Sequence, residues 1–560
     1  MLTAMRKTWR TLAIVLFTAA VVFGGLFGDR LQAVNQDTRD HLKVYTELVT
    51  VARERYGSEV AYKDLVFASI EGMLRSLDPH TSFLSPRAYD GMRERQQSSF
   101  FGLGILVSIR NGQLTVIAPI EGTPASRMGI RAGDIISTIE GEPTDTMGLD
   151  EAVTKLKGPK DTQVNITINR RGLDEPLEMA VTRAEIPQTT VRQAYLLTDD
   201  VGYVQVSEFS RSTGHEMAEA LAELRDQGMK KLILDLRNNG GGLLDQAIEV
   251  SDQFVPEGSA IVETRGRIRD SYQSFFATGD RPELAMPVVV LVNGGTASAA
   301  EILSGAIQDH DVGIIVGTPT WGKGLVQTVY SLSYGAGLAL TTAKYYTPSG
   351  RLIQRDYTSY YDYYTYDPLT ALDQDEDVDG DGITGQSVSL GSPPEAEVFR
   401  TDLGREVYGG GGITPDVVVS NGEISAFELF LLTRNAFFEF GVDYTLRHAI
   451  EDRSWQPDDA VLQDFRRWLL DEEILDNPKR FDEAMKQERA RDYIRLQVHA
   501  EIFNSAFGQE DSHKIRAHGD KQVQTALDQL DKARELLEQR AEMGKKPLEP
   551  AVSEMEGKGL

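Results

Sequence analysis

The sequence predicts a multidomain, mixed α/β protein with helical regions at both ends. Three observations predict it. The chain has 560 residues, too many for one ordinary core. Its middle third carries three continuous apolar runs, the first two followed by glycines and then a helical pattern, which is how strands buried on both faces feed helices in an open α/β fold. Its flanks show apolar residues at three- and four-residue spacing instead.

The segments follow in order. Arg6, Lys7 and Arg10 precede an apolar run from Leu12 to Phe27. Cations before an apolar stretch mark an export signal and orient it, so residues 1–30 are expected to be a signal peptide or, in preference, an uncleaved anchor. Residues 31–98 are an N-terminal helical region in which 35–95 read as helical, with Leu65, Ile70, Met73 and Leu74 in helical phase up to Leu77-Asp78-Pro79-His80. Residues 99–184 change to a period of two: Ile105, Val107 and Ile109 alternate, as do Val164, Ile166 and Ile168. Short helices are expected at Pro124–Gly129 and Leu149–Leu156 within this β-rich module. The α/β segment spans 185–430, with strands at Leu232–Leu234, Val288–Val292 and Ile314–Val316 and a tyrosine-rich, then acidic, loop at 358–390. Residues 431–560 read as helical, and Val523, Ala526, Leu527, Leu530, Ala533 and Leu537 form an amphipathic stripe. Such a stripe must pack on the body of the protein or on a second copy.

Composition narrows the function. Lysine plus arginine number 58 against 85 acids, a formal charge of −27, which argues against nucleic acid because phosphate binding wants a basic face. There is no cysteine, so thiolate catalysis, disulfides and cysteine-ligated metals are excluded.

Three strand ends carry candidate chemistry. Val288–Val292 runs into Asn293-Gly294-Gly295-Thr296-Ala297-Ser298-Ala299-Ala300-Glu301-Ile302. Ser298 there would stand at a helix start, beside N–H groups suited to stabilising negative charge; an N-cap serine is the plain alternative. A serine nucleophile needs a base. Although His80 and His310 stay open as bases on the sequence alone, none of the eight histidines lies in a glycine-bearing loop after a core strand. Lys323, in Trp321-Gly322-Lys323-Gly324 just past Ile314–Val316, does. A free lysine titrates near about 10.4, so it serves as a base only when desolvated. Gln327, four residues on, is placed to orient it. The third strand end is Asp235-Leu236-Arg237-Asn238-Asn239-Gly240-Gly241-Gly242, whose glycine amides can face a ligand oxygen. A phosphate nest is the rival reading, but the loop lacks the Lys-Ser/Thr ending of a P-loop.

These segments, together with Leu77–Leu84, Phe101-Gly102-Leu103-Gly104-Ile105, Arg131-Ala132-Gly133-Asp134, Gly322–Gln327, Lys344–Gly350 and Gly412–Asp416, occur in the order found in carboxyl-terminal processing (tail-specific) proteases, which the chain resembles over about residues 40–440. The resemblance implies a crotonase-like ββα-spiral protease core with an inserted PDZ domain at 99–184. It implies Ser298 as nucleophile, Lys323 as general base and Gln327 as the residue holding the lysine. It further implies an oxyanion hole from the N–H groups of Ala299 and Gly241, with Gly240 and Gly242 as alternates, and no cofactor. Amides of Leu103, Gly104 and Ile105 would take a substrate's terminal carboxylate while its tail adds as a strand. Lys157 stands where the family commonly has an arginine linking tail binding to catalysis, and Asp161 replaces a common glycine, which weakens that link.

Implied partners are unfolded or tail-exposed proteins, the membrane through the N-terminal anchor, a second copy of the chain, and conceivably a delivery adaptor, with the body in the periplasm or another extracytoplasmic space. An inactive PDZ adaptor and a crotonase-like acyl-transfer enzyme are the alternatives. Asp377-x-Asp379-x-Asp381-Gly382 has calcium-loop spacing, but Val388 stands where a bidentate glutamate is wanted, so a solvated acidic loop and no metal is expected.

Overall fold

The computed structural model describes residues 38–279, 286–357, 363, 397–420, 422 and 424–543. The apolar run at 12–27, nearly all of the 358–390 loop with its calcium-like spacing, and the extreme C-terminus lie outside the described residues. No helix among the described residues is long and apolar enough to cross a membrane.

The chain divides into two compact units. One comprises the described residues up to Ser85 together with Val329–Leu340, the other the described residues of Pro86–Thr328 and those from Thr341 onward. The first unit holds a helix at 38–55, a second at Tyr62–Arg75 and the strand Ser82–Leu84, which pairs antiparallel with Gly337–Ala339. The helical reading of 35–95 is thus interrupted at 56–61 and again at that strand.

At the centre of the second unit is a six-stranded sheet. Its strands in order are β1 (Val191–Leu196), β2 (Val201–Val206), β3 (Lys231–Asp235), β4 (Val288–Val292), β5 (Ile314–Gly317) and β6 (Val417–Val418). The first pair is antiparallel and the rest are parallel. Every residue of β4 is buried, as its unbroken Val/Leu run requires of a strand covered on both faces. On one face lie α1 (Thr213–Asp226), α2 (Leu244–Ser251) and α3 (Ala299–Asp309), packing Met217, Leu221, Ala247, Val250, Leu303 and Ile307 against Leu232, Leu234, Val288 and Val290. On the other lies α4 (Lys521–Met543), whose Val523, Ala526, Leu530, Ala533 and Leu536 pack with Ile233, Val289, Leu291, Ile314 and Val316. The C-terminal stripe therefore has its partner within the same chain: it is the second cover of the sheet.

A separate five-strand sheet runs in the order Ile105–Arg110, Gln113–Pro119, Ile135–Ile139, Gln163–Asn169, Leu177–Thr182, with Glu142–Pro143 added beside the third. It packs with helices Pro124–Arg127 and Leu149–Leu156 around a core of its own that includes Leu103, Leu114, Ile136 and Ile166. Ile105–Arg110 is an edge strand, so one side of it is open to a further strand. A third core, rich in aromatics such as Phe437, Phe440, Phe465 and Trp468, joins the helices between Ala426 and Ala506.

Candidate active site

β3, β4 and β5 are adjacent and parallel, so the loops leaving their C-terminal ends are neighbours. These are the glycine loop after β3, the turn bearing Ser298 after β4, and the loop bearing Lys323 after β5.

Hydrogen bonds weave the three together. Asn293 Oδ1 accepts from Asn238 N at 2.9 Å and from Gly295 N at 3.0 Å. Thr296 Oγ1 donates to Leu236 O at 2.8 Å, and Ala297 N to Asn239 O at 2.9 Å. Trp321 N donates to Thr296 O at 2.9 Å.

Ser298 caps α3 with φ 57° and ψ −115°. Serine reaches that left-handed φ only at a cost, and such backbone strain collects where a side chain must be presented sharply. The turn is kept in place by Glu301, which is fully buried. Its Oε2 accepts from Ser298 N at 2.7 Å and from Lys323 N at 2.9 Å. Its Oε1 accepts from Gly322 N at 2.8 Å and from Thr320 Oγ1 at 2.5 Å. Burial pushes this carboxyl up from the ordinary range, while the four donors favour its ionised form. All four lone-pair positions meet donors, an arrangement that suits the carboxylate, since a protonated acid would need an acceptor.

A second tie comes from Tyr345, also buried. Its hydroxyl contacts Ser298 O at 3.0 Å and Lys323 O still more closely, so one phenolic proton serves two carbonyls. The main chains of Ser298 and Lys323, 25 positions apart, are thus fixed to the same carboxylate and the same phenol. Both side chains are half-buried.

The other expected residues fall differently. Ala299 N has no acceptor among the described residues and lies beside Gly241; a Cβ on Gly241 would stand 2.9 Å from that nitrogen and 2.8 Å from Ser298 Cβ. With φ 95° as well, only glycine fits there. The Gly241 N–H itself, however, donates to Asn239 Oδ1 at 2.9 Å. The expected second oxyanion donor is therefore already engaged, because buried Asn239 turns its side chain back onto the loop. The N–H groups of Gly240 and Gly242 have no acceptor among the described residues. Gln327, expected to hold the lysine, has its Nε2 buried without a hydrogen-bond partner among the described residues; that nitrogen is a donor, so a bond from the lysine would fall to the Oε1 of the same side chain. Gly324, pinned through its N–H to Gln354 Oε1 at 2.8 Å, lies between the lysine loop and the strand Leu325–Ser331 that carries Gln327.

In the five-strand domain, the N–H groups of Leu103 and Gly104 have no acceptor among the described residues and precede the open edge strand that begins at Ile105. Gly104 has φ 77°, and a Cβ there would lie 2.3 Å from Thr123 Cβ, so the turn that exposes these amides requires glycine. Lys157 pairs with Glu94 at 2.9 Å and lies over the Phe100 ring. Among the described residues no group of three or more His, Asp or Glu is placed to hold a metal ion.

Glu301, Tyr345, Thr320 and Asn239 were not singled out from the sequence. One signal was present: Ser298-x-x-Glu301 has capping-box spacing, which brings the glutamate back to the serine N–H. Tyr345 lies in the Lys344–Gly350 segment of the resemblance, but nothing local marks its role, since it reaches the site from another sheet.

Residues 200–359 match Peptidase family S41 and residues 115–170 match the PDZ domain. The carboxy-terminal-processing protease of Bartonella bacilliformis is 39% identical over 350 residues, 61% of this chain and 80% of that protein. The carboxyl-terminal-processing protease of Synechocystis is 41% identical over 305 residues, 53% of this chain and 70% of that protein. Among solved structures, the photosystem II D1 C-terminal processing protease is 31% identical over 55% of this chain and 89% of its own, with a TM-score of 0.32. On the strength of these relatives, the chain belongs to the carboxy-terminal processing proteases, serine-type members of Peptidase family S41 that carry a PDZ domain.

Proposed function

We propose that this protein cleaves peptide bonds with Ser298 as nucleophile and Lys323 as general base, in substrates whose free C-termini are held at the amides of Leu103, Gly104 and Ile105. The observation that carries the reading is the pair of shared anchors, Glu301 and Tyr345, which tie the serine and lysine main chains to each other. Neutral Lys323 takes the hydroxyl proton as Ser298 Oγ bonds to the scissile carbonyl carbon. The resulting oxyanion meets Ala299 N–H at the start of α3 and an unengaged glycine N–H, from Gly240 or Gly242. Lys323 returns the proton to the leaving amine as the C–N bond breaks. Water then attacks the acyl-enzyme, giving its proton to Lys323, and Ser298 is regenerated.

The test uses the chain from residue 31 onward and an unfolded protein bearing a free apolar tail. Ser298→Ala and Lys323→Ala should each lower kcat by at least roughly 10³-fold with an unchanged unfolding midpoint, and the double variant should be no worse. Cleavage by Ser298→Ala at the parental rate refutes the assignment.

The same proposal places the enzyme at the cell envelope, anchored through the apolar run from Leu12 to Phe27 with its body outside the cytoplasm; Arg6, Lys7 and Arg10 before that run support this orientation. Fractionation of cells expressing the full chain should recover it with membranes, and release by high salt alone would refute the anchor. Self-association is assigned to the 38–55 helix, where Leu42, Leu48 and Val51 remain more than half exposed. Light scattering should show a dimer that Leu48→Lys dissociates.

A further inference from the structure

The glycine loop and the lysine loop meet a common neighbour outside residues 200–359, the segment that matches Peptidase family S41: the first turn of α4. Arg237, two residues past the end of β3, grips Asp235 through Nε at 3.0 Å and through a terminal nitrogen at 2.6 Å. Asp235 is fully buried and also accepts Tyr203 OH at 2.5 Å. The other terminal nitrogen of Arg237 reaches across to α4, donating to Asp520 Oδ2 at 2.6 Å and Gln522 Oε1 at 2.9 Å. Asp520 meanwhile caps α4, its Oδ1 accepting from Gln522 N at 2.8 Å and Val523 N at 3.3 Å. Buried Gln522 completes the bridge on the other side: its Nε2 donates to Val419 O at 2.7 Å, and Val419 N donates to Gly317 O at 2.8 Å. Gly317 is the last residue of β5, where the lysine loop begins.

We propose that the first turn of α4 is a clamp between the two catalytic loops, with Asp520 and Gln522 as positioning residues that act through Arg237 and Val419. The proposal rests on the Ser298–Lys323 reading above. Its physical basis is charge and direction. Arg237 has two carboxylate partners: its fork engages Asp235, and Asp520 holds the remaining terminal nitrogen, so the guanidinium is tied between the glycine loop and α4. Arg237 is directly followed by Asn238 and Asn239, and these carry the hydrogen bonds to Asn293, Gly241 and Ala297 that set the oxyanion donors against Ser298. A displacement of the Arg237 side chain thus passes to the loop within two residues. The C-terminal helical region then contributes to catalysis from a distance, although it lies beyond the matched protease segment.

Asp520→Asn isolates this role. Asparagine is as good an N-cap as aspartate, so α4 keeps its cap. The group turned toward Arg237 becomes an NH₂, a donor facing a donor. With the chain from residue 31 onward and a dye-quenched unfolded protein ending in a free apolar tail, kcat should fall at least tenfold while KM stays within twofold. In an Arg237→Lys background, where the terminal-nitrogen bond to Asp520 is already lost, the same substitution should cost less than twofold. Parental kcat in Asp520→Asn overturns the clamp, as does an equal loss in both backgrounds. Ser298→Ala, assayed alongside, separates the two claims: if it is active, the dyad and the clamp fall together, whereas an inactive Ser298→Ala beside a fully active Asp520→Asn removes the clamp alone.

Discussion

Glu301 concentrates more of the site's geometry than either residue expected to perform chemistry. Its carboxylate takes one N–H from the serine turn, two from the lysine loop and a hydroxyl from Thr320, so removing a single acceptor loosens two loops at once. In Glu301→Gln, the amide NH₂ must face N–H groups that now hold an oxygen. A displacement of about 1 Å between nucleophile and base costs on the order of 10²-fold in rate, and losing a hydrogen bond to a buried charge costs roughly 2–3 kcal/mol in stability. Glu301→Gln should therefore show both losses, measured as kcat and as urea midpoint on the same preparation. Lys323→Arg makes the opposite distinction. The variant keeps a cation and the main-chain anchors, yet arginine does not release its proton near neutral pH. It should fold like the parent and have no measurable activity, and restored cleavage would assign the base elsewhere.

Among the elements, α4 has the role least expected of a C-terminal helix. It covers Ile233, Val289, Leu291, Ile314 and Val316, the second face of the central sheet. A truncation ending near residue 505 removes that cover and leaves a broad apolar surface on parallel strands, so the product should aggregate on expression rather than give an active monomer. Size-exclusion chromatography of the truncated and complete chains decides this. The adjoining helices also carry a pH dependence. His513, against Tyr195, and His499, against Trp455 and Phe503, are both held below the ordinary histidine range, chiefly by burial. Unfolded, each protonates near about pH 6.5. Below that pH the unfolded chain binds protons that the folded chain excludes, so stability is full above about 6.5 and declines as the pH falls from there toward the lowered folded values. Urea unfolding at pH 7.5 and 5.5 should show the decline, and His513→Gln should reduce the difference.

For the whole molecule, the open edge strand and the unengaged amides of Leu103 and Gly104 support the proposed recognition of a free terminal carboxylate there. Amidating a substrate's C-terminus removes the charged acceptor to which those N–H groups would donate, and charge-assisted hydrogen bonds are roughly twice as strong as neutral ones. Cleavage of the amidated substrate should slow about tenfold or more, through KM rather than kcat. Equal rates for acid and amide would show that tails are not selected at this site.

Strand identity, the glycine turns after β3 and β4, and the residues Ser298 and Lys323 were legible in the linear sequence, because each is a local pattern: a buried β run, a turn that needs glycine, a polar residue at a strand end. The five-strand module was legible for the same reason, from its period of two and its Pro-to-Gly helix. The interruption of the 35–95 helical reading was not, since the strand Ser82–Leu84 exists only through pairing with Gly337–Ala339, some 250 positions away. Which glycine amide remains unengaged was decided by the direction of one buried side chain, Asn239, and sequence spacing does not encode it. The amphipathic stripe on α4 announced that it needed a partner and left two open; only the folded sheet, with one face uncovered by α1, α2 and α3, selected the partner within the chain. Local chemistry is written along the backbone at short range. Glu301, Tyr345, Arg237 and Asp520 have their roles because tertiary packing brings buried donors and acceptors together from loops far apart in sequence, and a buried polar group must find its partner wherever the fold supplies one.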